Sequence, residues 1–171
     1  MFKKLAFLGL SILSCAGLSA AGNQDKKIVA WDIHDVLFTK PINHGWQCKP
    51  NPEMFKVVDK LNKDGVKQVI FSNISGASFC KLIRLYPEHF KYFDLRCSKA
   101  NAEGIFTRKP HAKYINKFLK KNKMVSPHNI IFFDDKKKNI EGAWACGIDA
   151  YQVTNASQVE DILREKLIQA A

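Results

Sequence analysis

No two of the five cysteines stand in a C-x-x-C spacing, so the chain offers neither a thioredoxin-type redox pair nor a zinc-ribbon pair. No segment repeats, no low-complexity tract interrupts the chain and no linker divides it, which excludes solenoids and strings of small domains. No nucleic-acid-binding motif is present. Acidic residues are scarce, 16 against 27 Lys and Arg, for a formal net charge of +11. Such a balance bears on solubility and partners rather than on fold. A solvated basic surface is the simplest meaning; attraction to anionic substrates or to a membrane surface is the alternative.

A membrane-spanning run is also missing. Lys3 and Lys4 precede an apolar stretch from Leu5 to Leu18, too short to cross a bilayer comfortably, and Ser19-Ala20-Ala21 follows with small side chains. That layout is a secretory signal peptide, expected over residues 1–21, with export to the periplasm or the medium. A lipoprotein signal through Cys15 is the alternative, weakened by the bulky Leu13. Residues 22–171 then form one domain of about 150 residues, large enough for a real core. Cys48, Cys80, Cys97 and Cys146 remain in it. An oxidising compartment permits disulfides among them, with no pairing indicated. Cys80 and Cys146 fall in apolar helical patterns and are expected as buried thiols.

Strands and helices alternate along this domain. Ile28 to Asp32 reads as a strand. Asn51-Pro52-Glu53 opens a helix with a cap, a proline at the first helical position and an acid in the first turn. Asp64-Gly65 ends that helix. Val69-Ile70-Phe71 forms a strand running into Ser72-Asn73, and a helix with Phe79, Leu82, Ile83 and Leu85 stops at Pro87. A short strand is expected at Phe93–Cys97 and a helix from His111 to Lys121. Ile130–Phe133 is the most strongly apolar strand, ending in Asp134-Asp135. Asn139 to Cys146 is helical, Gly147 closes it, Ile148–Val153 is a last strand, and Ser157 caps a terminal helix. Trp31 and Trp144 are expected in the core; His44 and Trp46 lie in the loop after the first strand. The alternation implies an α/β fold, a parallel sheet covered on both faces.

Asp32, Ser72 and Asp134-Asp135 each end a strand, and such ends converge at the carboxyl edge of an open sheet, where ligands bind. Lys109, followed by Pro110, lies in the loop before the helix that leads to the acidic strand. Four such elements in this order, with Ser98 ahead of Lys109-Pro110 and Asn139, Ala143 and Gly147 behind the acidic pair, resemble the haloacid dehalogenase (HAD) superfamily of phosphotransferases. The resemblance covers essentially all of residues 22–171. It implies a Rossmann-like three-layer α/β/α core, and the short intervals from Asp32 to Ser72 and from Ser72 to Lys109 leave no room for a substantial cap domain.

By this resemblance Asp32 would attack phosphorus, forming an aspartyl-phosphate. Ser72, Asn73 and Lys109 would bind phosphate, Lys109 also neutralising nearby carboxylates. Mg²⁺ would be held by Asp32, the main-chain carbonyl of His34, and Asp134 or Asp135. The implied activity is phosphomonoester hydrolysis on an exposed or bulky substrate. The chain departs from the family at His34, where the pattern Asp-x-Asp has its second Asp, the residue that protonates the leaving oxygen. An imidazole, with an unperturbed pKa near ~6.5, can serve as that acid and base. It can also add a nitrogen ligand to the metal site, or leave a protein that binds a phosphorylated ligand without turnover. Asp35 beside it is a turn residue that could orient the ring.

Overall fold

The computed structural model describes residues 27–39, 48–102, 104, 107–123 and 125–168. The expected signal segment, His44 and Trp46 lie outside these residues. Among the described residues no helix is long and apolar enough to cross a membrane.

Four parallel strands form the sheet, β1 (Ile28–Trp31), β2 (Lys67–Ile70), β3 (Ile130–Asp134) and β4 (Asp149–Gln152), in the order β2-β1-β3-β4. In register, Trp31 pairs with Ile70 on one side and with Phe133 on the other. β1 and β3 are buried at every position, as strands covered on both faces must be. Alternate side chains feed two separate cores. Val29, Trp31, Ile70, Ile131 and Phe133 pack toward α1 (Pro52–Lys63), α2 (Gly76–Leu85), α3 (Pro87–Phe90) and α6 (Ala156–Ile168). Ile28, Ala30, Val69, Phe71 and Phe132 pack toward α4 (Ala112–Lys121) and α5 (Lys137–Trp144). The result is the three-layer α/β/α arrangement that the alternating pattern implies.

Local chemistry fixes the helix ends. Asn51 caps α1 through its side chain to the Met54 amide, Pro52 occupies the first helical position, and Gly65 leaves the helix with φ 72°. Pro87 stops α2 and also starts α3, since its missing N–H costs nothing in a first turn.

Several expectations are corrected. Phe93–Cys97 is a run of turns, because the Asp94 carboxylate captures the Arg96 and Cys97 amides that a strand would have offered to the ladder. The segment touches the sheet edge through the Asp94 amide, which donates to the Gln68 carbonyl, and, just beyond it, through Lys99, which bridges to Phe71. The cap of α6 is Asn155, which accepts from the Gln158 amide, and Ser157 lies inside the helix. Trp144 is 56% exposed, its indole N–H bonded to the Ala150 carbonyl, because α5 turns Ile140 and Ala143 inward instead. Cys80 is exposed, on the outer side of α2, and Cys146 is half-buried in the turn after α5. All four described cysteines are free thiols.

Candidate active site

The strand order reverses direction at β1: the chain steps to β2 on one side and later to β3 on the other. A crevice opens at such a switch point, beyond the carboxyl ends of the two central strands. Asp32 and Asp134 stand there, each almost wholly buried. The ladder continues one step past Trp31, with the Asp32 amide donating to the Phe133 carbonyl at 2.9 Å, so Asp32 is held as firmly as a strand residue.

Lys109 enters this crevice from the loop before α4. Its ammonium is fully buried and donates to Asp32 Oδ1 at 3.0 Å, Asp134 Oδ2 at 2.6 Å and the Phe71 carbonyl at 2.6 Å. The Phe132 and Phe71 rings flank it at 4.6 and 5.1 Å. A buried ammonium is tolerable only with such pairing. All three donor positions are used, so the lysine has one geometry.

The backbone of Lys109 is clamped as well. Asn73 accepts from the Lys109 amide at 2.7 Å and donates to its carbonyl at 3.0 Å, using both ends of its own side-chain amide. The peptide bond from Lys109 to Pro110 is cis. Against this turn lies Gly142 of α5, where a Cβ would come within 2.6 Å of the Pro110 carbonyl oxygen. Only glycine lets the helix approach that closely.

Ser72 follows β2 and is buried, its amide donating to the Lys99 carbonyl. Its own carbonyl accepts from the Tyr114 hydroxyl at 2.6 Å. Burial pushes the Tyr114 phenol up to about 12, assisted by the Asp32 charge and opposed by a hydrogen bond from the Asn101 amide. It therefore remains a donor at any working pH. Ser98 performs a similar task on the other side of the strand, accepting from the Ile70 amide and donating to the Asp94 carbonyl.

Asp134 accepts protein hydrogen bonds at both oxygens. Oδ1 accepts from the Lys136 amide and from Asn139 Nδ2, and Oδ2 from Lys109 and the same Asn139 nitrogen. Asp135 is half-buried, its carboxylate 4.0 Å from Lys136 Nζ. Ligand-capable oxygens of Asp32, Asp134 and Asp135 all lie within 4.8 Å of one another. His34 sits in the turn after β1, closed by Phe38 N–H to the Ile33 carbonyl and Asp35 N–H to the Phe38 carbonyl. Asp35 takes φ 61°, a left-handed conformation that Asp tolerates better than most residues.

The structure thus brings Asp32, Lys109 and Asp134 into direct contact, with Asp135 beside them and Ser72 and Asn73 at the neighbouring strand end. Two connections escape the sequence reading: the Asn73 clamp on Lys109 and the Tyr114 prop under Ser72. Tyr114 is legible only as an inward helix residue, because its partner is distant in sequence.

Residues 11–153 match a family described as haloacid dehalogenase-like hydrolase. The chain belongs to that family. Similar solved structures include a Had-superfamily hydrolase from Ehrlichia chaffeensis, 14% identical over 84% of this chain and 98% of that one, with a TM-score of 0.64. A HAD-superfamily hydrolase of subfamily IA from Geobacter sulfurreducens is 16% identical over 80% and 99% of the two chains, with a TM-score of 0.61. The core domain of a Streptococcus pneumoniae protein provisionally assigned as a phosphoglycolate phosphatase is 19% identical over 85% and 100%, with a TM-score of 0.57. At these identities the likeness concerns the fold. Within this HAD-like hydrolase the site chemistry rests on the geometry above.

Proposed function

We propose that this HAD-like hydrolase is an exported, Mg²⁺-dependent phosphomonoester hydrolase that works through Asp32. The observation that carries the proposal is the buried Lys109 ammonium shared between Asp32 and Asp134 at the switch point. It fixes one carboxylate oxygen and leaves Asp32 Oδ2 as the attacking atom. In the first half-reaction Oδ2 forms a bond to phosphorus while the bond to the ester oxygen breaks, and His34 gives the departing oxygen a proton. In the second, His34 takes a proton from water, the water oxygen bonds to phosphorus, and the Asp32–phosphorus bond breaks to release phosphate. Ser72 and the Asn73 main-chain N–H supply donors to the phosphoryl oxygens, and Lys109, whose three donors are already engaged, contributes its charge. Asn73 contributes its main-chain N–H, since its side chain is already engaged with Lys109.

The donor set fits a hard cation. Three clustered carboxylates meet the buried Lys109 ammonium and, at Asp135, Lys136 Nζ 4.0 Å away, which leaves a surplus of negative charge that would repel a phosphate dianion, and all the donors are oxygens. Mg²⁺ held by Asp32, the His34 carbonyl and Asp134 or Asp135 would neutralise that surplus and polarise the phosphate. The segments between β1 and β2, and between β2 and β3, hold core-sized elements in the described residues. The complete coverage of an isolated core domain supports a capless member. Such an open site suits exposed or bulky phosphoesters. Export rests on residues 1–21, with a lipid anchor at Cys15 as the alternative.

His34 supports a second reading, in which the site holds a phosphorylated ligand without turnover. Mg²⁺-dependent phosphate release from aryl phosphates, nucleotides and sugar phosphates, with Asp32→Asn as control, decides between them. Turnover lost in the control establishes the hydrolase. Silence with activated aryl esters, relieved by His34→Asp, establishes the binding protein.

A further inference from the structure

We propose that the lysine-lined groove along α4 is a track for single-stranded nucleic acid, leading its terminal phosphate to the Asp32 site. The chemistry at the end of the track rests on the hydrolase proposal; the track rests on its own geometry.

α4 begins just beyond the Lys109–Pro110 turn, and Tyr114 in its first turn bonds Ser72, so this end of the helix adjoins the phosphate-binding edge. From there Lys113, Lys117, Lys120 and Lys121 recur at the spacing of one helix side, all exposed, over roughly 12 Å at the usual rise. Three of them, Lys117, Lys120 and Lys121, form one wall of a groove of about 630 Å³, with Lys99, Phe79 and Leu95 also lining it. Lys99 ties the groove to the site directly, because its carbonyl accepts from the Ser72 amide.

The α4 lysines of this groove meet no acidic side chain among the described residues. Among the described residues no acidic side chain lines the groove, and α4 itself carries none. Several lysines elsewhere are paired: Lys56 with Glu53, Lys63 with Asp59, Lys91 with Glu88 and Lys137 with Glu141. Among the described residues Lys113, Lys117 and Lys120 join no such pair. Lys121 donates to the Arg96 carbonyl, a contact that positions an ammonium without neutralising it.

The shape selects the ligand. Ammonium groups about one helical turn apart need a ligand whose charges also repeat; a lone phosphate would engage one or two of them. A bilayer presents a broad surface that does not enter a groove. Phe79 and Leu95 offer apolar surface for base faces, which suits nucleic acid better than a uniformly hydrophilic polyanion. Binding of this kind needs charge and stacking rather than a sequence-reading motif.

The test uses full-length mature protein carrying Asp32→Asn, titrated with a short labelled single-stranded oligonucleotide. Affinity is expected to fall with salt, with a slope of about −2 to −3 for three or four phosphate contacts, and Lys117→Gln/Lys120→Gln should reduce that slope by roughly 1.4. In the protein with Asp32 intact, a terminally phosphorylated oligonucleotide should show a KM about tenfold below that of its mononucleotide, an advantage the double variant removes. The double variant should cleave an aryl phosphate within about twofold of the unmodified protein, since neither lysine touches the reacting atoms. Oligonucleotide binding unchanged in the double variant overturns the track. So does tighter, equally lysine-dependent binding of anionic-lipid vesicles or a sulfated glycan. Absence of all turnover with lysine-dependent oligonucleotide binding intact overturns the hydrolase proposal and keeps the track.

Discussion

At the scale of single residues, the site is organised by one ammonium. Lys109 bridges two carboxylates that would otherwise repel each other in an apolar crevice, and Asn73 fixes its backbone so that the long side chain has no other course. Lys109→Met is expected to destabilise the protein by about 3–5 kcal/mol, the usual cost of stranding buried charge. Urea unfolding measures this, and phosphate release should vanish with it. In the proposed mechanism turnover depends on His34. If its imidazole is the acid and base, His34→Asp will move the corresponding limb of the rate–pH profile to lower pH, because a carboxyl titrates below an imidazole. An unmoved profile would assign proton transfer to another group.

Among the elements, the contact between α5 and the Lys109–Pro110 turn sets how well the lysine is aimed. Gly142→Ala places a methyl 2.6 Å from the Pro110 carbonyl oxygen and 2.7 Å from its Cβ, so helix or turn must move. A loss of about 1–3 kcal/mol in stability is expected, as for overpacking generally. A fall in kcat/KM should accompany it, because the displaced turn carries Lys109. Asn155→Ala is the contrasting case. It removes the α6 cap bond to the Gln158 amide, which involves none of the site's own groups, and should cost about 1 kcal/mol with activity per folded molecule unchanged. Thermal unfolding and steady-state assays on the two variants separate the roles.

For the molecule as a whole, acid stability has an identifiable contributor. Burial acts to raise the Asp94 pKa, but hydrogen bonds from Cys97 and from Lys67 outweigh it and bring the carboxyl to about 2. The folded value lies below the unfolded one, so the stabilisation is fully present above the unfolded value of ~3.9 and is lost as pH falls from there toward 2. With 21% of the side chain exposed, the contribution is of order 1–2 kcal/mol. Asp94→Asn should therefore lower stability at neutral pH and flatten its decline between about pH 4 and 2, as read by denaturant midpoints across pH. Metal linkage is a second global readout. Mg²⁺ at about 100 times its dissociation constant should add ~2.7 kcal/mol to unfolding free energy, and Asp135→Asn should abolish most of the gain.

Sequence alone determined the periodic parts of this protein. Ile28–Trp31 and Ile130–Phe133 carry side chains suited to burial on both faces, which only a covered parallel sheet provides, and local caps such as Asn51-Pro52 fix helix starts within a few residues. The candidate site was legible to the same extent, because each chemical residue directly follows a strand or precedes a helix. Where local chemistry had two outlets, the pattern misled: Asp94 turned an apolar-looking segment into turns, Trp144 could face either way on α5, and Asn155 rather than Ser157 took the cap. Tertiary structure decided what depends on distant partners. Asp32 and Lys109 meet at 3.0 Å across a separation of 77 residues, Tyr114 reaches Ser72 across 42, and Gly142 is required by a proline on another element. Periodicity encodes which face of an element is buried, but not what lies against it; that is settled only when the chain closes around the switch point between β1 and β3.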